Sequence, residues 1–216
     1  MQRPRQTSAH RPAPLWLAPA PLVLASRSAA RQSLLAGAGI AFESVPADVD
    51  ELAIATGLDA AGAMPADIAL ALADEKARLV SHSYGRRLVL AADQILSLDG
   101  TIYSKPRDRA AAQSHLADLS GRTHTLHSAF AVLRDGEHLC AAVAEAHMTM
   151  RDLSPAFIAR YLDAAGEAAL ASVGAYQYEG LGIHLFATVE GDRSTIMGLP
   201  LLPLIEFLRA EGSVAA

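Results

Sequence analysis

The first apolar run, Leu22-Val23-Leu24-Ala25, is short and continuous, which predicts a buried strand. Ser26 to Leu35 reads as the turn and helix that follow, stopped by Gly37 and Gly39. Ile40 to Val45 alternates as a second strand. A loop is expected through Gly57, Gly62 and Pro65, then an Ala-rich helix over 66–80 with Ile68, Leu72 and Leu79 on roughly one face. Leu88 to Leu96 reads as a buried strand ending at a turn around Asp99-Gly100. Residues 107–119 form a helix with Leu116 and Leu119 inward and Arg109 outward, and Gly121 stops it. Thr123 to Leu133 alternates, Asp135-Gly136 turns the chain, and Leu139 to Met150 returns as its hairpin partner. Ser154-Pro155 caps and opens a helix to about Leu162. Gly174 to Ile183 is irregular and Gly-rich, Leu185 to Val189 is a strand, and Leu201 to Leu208 is the closing helix. This order predicts an α/β fold with a mixed sheet and no internal repeat.

One polar residue interrupts the pattern with consequence. Asp93 is carried by an apolar strand into its own end, and Lys105-Pro106 arrives twelve residues later. A carboxylate beside Ile, Leu and Val is costly to bury alone, so a strand end at a cleft suits it better than a core. A solvated strand end is the plainer alternative. The 216 residues suffice for a real core, 51% of them hydrophobic and 19% charged. A net charge of −5 gives no general attraction to nucleic acid, while a cleft for a small polyanion depends on local Arg and Lys. Cys140 is the single cysteine, which excludes an intrachain disulfide and suggests a small core hydrophobe. His138 and His147 lack the close partners of a recognised metal motif. Residues 1–14 carry arginines and prolines and no acid, and prolines recur at 19 and 21. A flexible basic arm over residues 1–20 and a single domain over residues 21–210 are expected. The apolar run from Leu15 to Leu24 is too short and too interrupted for a membrane span, so a soluble cytoplasmic protein without membrane or nucleic-acid partners is expected.

Several charged groups fall at element ends: Arg31, Glu51, Lys76, Asp93 and Lys105, with Ser26 and Ser28 near the first helix start. Orphan N–H groups at that helix start favour an anion. Cations that hold phosphoryl oxygens, with acids that hold a divalent ion or activate water, are the equipment of phosphate chemistry. Each residue has an ordinary reading as well. Arg31 suits a solvated helix surface, Lys76 offsets a helix dipole, Asp50 and Glu51 cap a loop, and Lys105-Pro106 enters a helix. No Walker-type loop and no GxGxxG appear. The residues by themselves reach an α/β protein with a candidate phosphate cleft.

The motifs taken jointly resemble the Maf family of nucleoside triphosphate pyrophosphatases from about Leu22 to Leu208. They are Leu24-Ala25-Ser26-Arg27-Ser28-Ala29-Ala30-Arg31, Val49-Asp50-Glu51, Leu72-Ala73-Asp74-Glu75-Lys76-Ala77, Ala92-Asp93-Gln94 and Ser104-Lys105-Pro106. Leu119-Ser120-Gly121, the segment Gly174 to Gly180, and Gly198-Leu199-Pro200 follow in order. The resemblance implies a mixed central sheet flanked by helices, with two lobes around an active-site cleft. It implies hydrolysis between the α and β phosphates, giving a nucleoside monophosphate and pyrophosphate, with a role in removing modified nucleotides. Mg²⁺ or Mn²⁺ would be held through Glu51 and Asp93. Ser28, Arg31, Glu51, Lys76, Asp93 and Lys105 match the polar active-site positions, Asp93 as proton acceptor, and a homodimer is expected.

Departures from the family pattern sharpen the reading. Ala29 stands where Pro is frequent, and Ser104 where Gly precedes Lys-Pro. Gln94 stands where many members have Thr, and Glu179 where many have Gln. The last two resemble the branch that prefers 7-methyl-GTP over dTTP and UTP, and both are candidate specificity residues. An ionised glutamate only accepts hydrogen bonds, which suits the donor edge of guanine and the positive charge of 7-methylguanine. A dTTP/UTP pyrophosphatase and a non-enzymatic nucleotide-binding regulator of cell division are the alternatives.

Overall fold

A computed structural model describes residues 15–215. Strand β1 (Leu22–Leu24) leads through helix α1 (Ala29–Gly37) to β2 (Phe42–Ser44), followed by α2 (Glu51–Ala60), α3 (Pro65–Ser81), β3 (Val89–Leu98) and β4 (Thr101–Tyr103). Helix α4 (Arg109–Leu119) precedes the hairpin β5 (Thr123–Arg134) and β6 (Glu137–Met150). Helix α5 (Pro155–Ala165), three short 3-10 turns, β7 (Phe186–Glu190), α6 (Arg193–Ile196) and α7 (Leu201–Ala210) complete the order. The seven strands form one mixed sheet in the order β2-β1-β3-β5-β6-β7, with β4 paired to β3. β1 is parallel to β2 and β3, and the other pairings are antiparallel.

The long strands β3, β5 and β6 pass through two packed regions. Around Val89 and Ala91, α3 covers one face with Ile68, Leu72 and Ala77. On the opposite face Leu90 and Phe130 meet Leu35 of α1 and Leu204 and Leu208 of α7. Farther along, Leu96, Leu126 and Met148 pack with Leu116 and Leu119 of α4 and Ile158 of α5. The sheet thus joins two lobes, each with its own apolar core.

The join leaves an opening. On the edge of β3 away from β5, β1 reaches only Leu90, where Ala25 N–H donates to the Leu90 carbonyl at 2.8 Å. On the same strand β4 takes up pairing at Leu96 to Leu98. Asp93 and Gln94 lie between, paired to β5 through Ala129 and Ser128. Alternation along the strand sends their side chains to opposite faces.

Several expectations need correction. The segment around Gly57 is helix, α2, rather than loop; Asp50 caps it by accepting from Ala53 N–H at 3.0 Å. Leu79 is exposed, while Ile68 and Leu72 are buried, because α3 presents Ala73, Lys76 and Val80 to the sheet instead. The three-residue β4 and the four-residue α6 are additional elements. Cys140 is half-buried rather than a core residue. Residues 1–14 of the expected arm lie outside the described residues. Residues 15–20 do not behave as a flexible arm: Trp16 is buried and bridges Val214, and Leu17 N–H donates to the Ser213 carbonyl at 2.9 Å. No helix among the described residues is long and apolar enough to cross a membrane.

Candidate active site

Lys76 is the centre of the charged cluster. It lies on the α3 face that meets the sheet, so its stem is buried against apolar neighbours and its ammonium emerges beside the opening in β3. Its Nζ is 2.7 Å from Glu51 Oε1 and donates to Asp93 Oδ1. Asp93 is 7% exposed, so its charge is compensated at the point where water is scarce. Glu51, the first residue of α2, is half-exposed. Burial pushes the Glu51 carboxyl up, but the hydrogen bond and charge of Lys76, with the charges of Lys105 and Arg31, outweigh it and hold it below the usual carboxylate range.

Arg31 approaches the same place from the first turns of α1. Ser28 caps that helix by accepting from Arg31 N–H at 3.4 Å, and Ser26 Oγ accepts from Ser28 N–H at 3.2 Å and from Arg31 Nη1 at 3.4 Å. Arg31 Nε donates to the Gly198 carbonyl at 2.8 Å. Burial lowers the Arg31 guanidinium below its usual value, against the upward pull of Asp93 and then Glu51. Arginine nevertheless remains charged. The opening therefore has a helix N-terminus at the carboxyl end of a parallel strand, a placement that favours anions.

Lys105 is exposed, two residues beyond β4. Continuing the pairing of Tyr103 with Leu96 carries it alongside the open stretch of β3, consistent with its influence on Glu51. The structure thus brings together Ser28, Arg31, Glu51, Lys76, Asp93 and Lys105. Glu179 is exposed and joins none of these contacts. Its segment is packed on β3, since a Cβ at Gly174 would fall 2.6 Å from Leu96 Cδ1. Tyr176 in that segment is hydrogen-bonded at 2.7 Å to buried His124, whose pKa burial lowers to about 4.

Gln94 is occupied differently from a free base-reading side chain. Its Nε2 donates to Ser128 Oγ at 2.8 Å and to the Thr195 and Ile196 carbonyls, both at 3.1 Å. Ser128, Thr195 and Ile196 are additions to the residues singled out by sequence, while Gly198 opens the Gly198-Leu199-Pro200 motif already noted. The one signal for Ser128 was a polar side chain in an otherwise apolar stretch of strand. The shallow depression between α2 and α3, lined by Ile54, Leu58, Asp74 and Arg78, faces away from Lys76 and is separate from this cluster.

The donor set suits a hard divalent cation in one particular way. Glu51 and Asp93 each engage Lys76 through one carboxylate oxygen, and two carboxylates match the protein share of a Mg²⁺ or Mn²⁺ site completed by phosphates and water. No group of three or more His, Cys, Asp or Glu suited to a metal occurs among the described residues.

The family model for Maf-like proteins matches residues 21–211. The chain belongs to the Maf family. Among its relatives, a Rhodopseudomonas palustris protein named nucleoside triphosphate pyrophosphatase is 56% identical over 203 residues, covering 93% of this chain and 98% of that one. A Rhizobium meliloti protein named 7-methyl-GTP pyrophosphatase is 50% identical over 195 residues, covering 90% of this chain and 98% of that one. Among solved structures, a nucleoside-triphosphatase, or dITP/XTP pyrophosphatase, of Mycobacterium abscessus aligns at 19% identity with a TM-score of 0.34. That alignment covers 61% of this chain and 73% of the other.

Proposed function

We propose that this Maf protein is a nucleoside triphosphate pyrophosphatase that cleaves the bond between the α and β phosphates, with 7-methyl-GTP as its preferred kind of substrate. The observation that carries the reading is the buried Lys76 ammonium shared by Glu51 and Asp93 at the opening in β3. The names of the Rhodopseudomonas and Rhizobium relatives point the same way. A net charge of −5 favours a small anionic substrate held by local cations over a nucleic acid.

In this mechanism Arg31, Lys76 and Lys105 offset the triphosphate charge, and Ser28 and the first N–H groups of α1 donate to a phosphoryl oxygen. Glu51 and Asp93 would hold Mg²⁺ or Mn²⁺, which supplies charge neutralisation at the phosphates. Asp93 orients the attacking water and takes its proton. The new bond joins that oxygen to phosphorus, the bridging P–O bond breaks, and pyrophosphate leaves with the electron pair. Glu179 reads the base, its ionised carboxylate accepting from the guanine edge and favouring the cationic 7-methyl form.

Initial rates with Mg²⁺ over 7-methyl-GTP, GTP, dTTP and UTP test the reading, scored for monophosphate plus pyrophosphate. Turnover is expected to be fastest on 7-methyl-GTP. Asp93→Asn should lose at least ~100-fold in kcat with nucleotide binding largely kept, the scale of a missing general base. Near-normal turnover in that variant refutes the role of Asp93, and absence of pyrophosphate release from every nucleotide refutes the activity.

A further inference from the structure

Gln94 and Arg31 meet at one piece of backbone. The turn from Asp192 to Leu201 is tied to itself first: Asp192 Oδ1 accepts from Ser194 N–H at 2.8 Å, and Leu201 N–H donates to Ser194 Oγ at 3.0 Å. It is then tied to the sheet by Gln94, which reaches the Thr195 and Ile196 carbonyls, and by Ser128, whose Oγ donates to the Thr195 carbonyl at 2.7 Å. Ser128 is fully buried. The turn ends at Gly198, whose φ of +87° places its carbonyl as the acceptor for Arg31 Nε. A Cβ at Gly198 would stand 3.3 Å from Arg31 Nη2 and 3.7 Å from Gln94 Oε1, so the three groups are in close succession.

An amide nitrogen carries two hydrogens. With Ser128 and two carbonyls as acceptors, both hydrogens of Gln94 are engaged by the protein. A nucleobase gains no free N–H from this side chain. Arg31, in contrast, has its Nε committed to Gly198 and its Nη1 3.4 Å from Ser26 Oγ, while the charges of Asp93 and then Glu51 act on the guanidinium. Fixing Nε fixes the plane of the fork, and a fixed fork loses less freedom on binding a phosphate.

We infer that Gln94 and Ser128 are positioning residues for Arg31: by clamping the Thr195–Gly198 turn they set the guanidinium that receives the triphosphate, and they do so independently of the base. The inference rests on Arg31 being a phosphate contact. The amide hydrogens of Gln94 then serve every substrate alike, and no base is read through them.

Inorganic pyrophosphate, which has no base, separates the readings as an inhibitor in the presence of Mg²⁺. In Gln94→Leu and in Ser128→Ala its inhibition constant should rise roughly tenfold, the scale of one well-made hydrogen bond. The value of kcat/KM should fall by a similar factor on 7-methyl-GTP, GTP and UTP, leaving their ratios unchanged. In an Arg31→Ala background, Gln94→Leu should add less than about twofold, because coupled residues are not additive. A role confined to holding the fold together would lower the melting temperature and multiply with Arg31→Ala instead. Unchanged pyrophosphate inhibition in both clamp variants, with weakened inhibition in Arg31→Ala, overturns the positioning role alone. Unchanged inhibition in Arg31→Ala removes the phosphate role of Arg31 and the inference with it.

Discussion

Lys76 holds two carboxylates in place, and its own burial makes the arrangement stringent. At 6% exposure it cannot trade Asp93 for water, and Asp93 has little water to turn to. Glu51 is half-exposed and tolerates the loss of its partner better. Lys76→Met should therefore destabilise the protein by about 3–5 kcal/mol, most of it the penalty of leaving Asp93 charged and unpaired. Lys76→Met combined with Asp93→Val should recover most of that loss, since a buried ion pair replaced by apolar groups is near neutral in stability. Urea unfolding measures both. Turnover should be absent in the single and double variants alike, which separates the pair's role in chemistry from its role in the fold. A single variant as stable as the parent would mean that Asp93 is solvated after all.

Helix α2 shows how an element can matter without being anchored by a core. None of its residues is buried, and Leu52 is 69% exposed, yet its first residue is Glu51. The Asp50 cap holds that first turn, and Ile54 and Leu58 lie half-buried on the α3 side. Asp50→Ala should cost about 1 kcal/mol within α2 while global stability barely changes. Faster amide exchange in residues 51–54, with a lower kcat, is the expected signature; unchanged exchange there would mean that the helix is held by packing alone. The same weakness explains what sequence could not reveal. Strands β1, β3, β5 and β6 are legible because continuous or alternating apolar residues state their burial directly, and α1 is legible from Ser28 and its glycine stops. In α2 the apolar residues form no single face, and Gly57 lowers helix propensity, so a loop is the natural reading. β4 has only three residues, too few for a period. Although Asp93, expected at a strand end, lies in the middle of β3 and Lys76 lies inside α3, charged residues of the cluster are legible because each interrupts or borders an apolar run. The clamp on Arg31 is not, because its acceptors are main-chain carbonyls of the Thr195–Gly198 turn, which leave no mark in side-chain pattern.

The opening that holds the charged cluster exists because β3, β5 and β6 run unbroken through both lobes while β1 and β4 each cover only part of the β3 edge. Continuous strands transmit a loss of packing from one lobe to the other, so the lobes should unfold together even though their cores are separate. Trp16, the single tryptophan, reports the lobe built around Leu90 and Phe130. Leu116 is fully buried in the other lobe, against Leu96 and Leu126. Leu116→Ala should cost about 2–5 kcal/mol through lost contacts and a cavity. If the strands couple the lobes, the urea midpoint read by Trp16 fluorescence falls by the same amount as the midpoint read by far-ultraviolet circular dichroism, with one transition and an unchanged slope. A Trp16 midpoint that stays at the parent value while circular dichroism shows an earlier phase would mean that the lobes are independent folding units. Hinge motion at the β3 opening would then be the expected route to closing on the triphosphate.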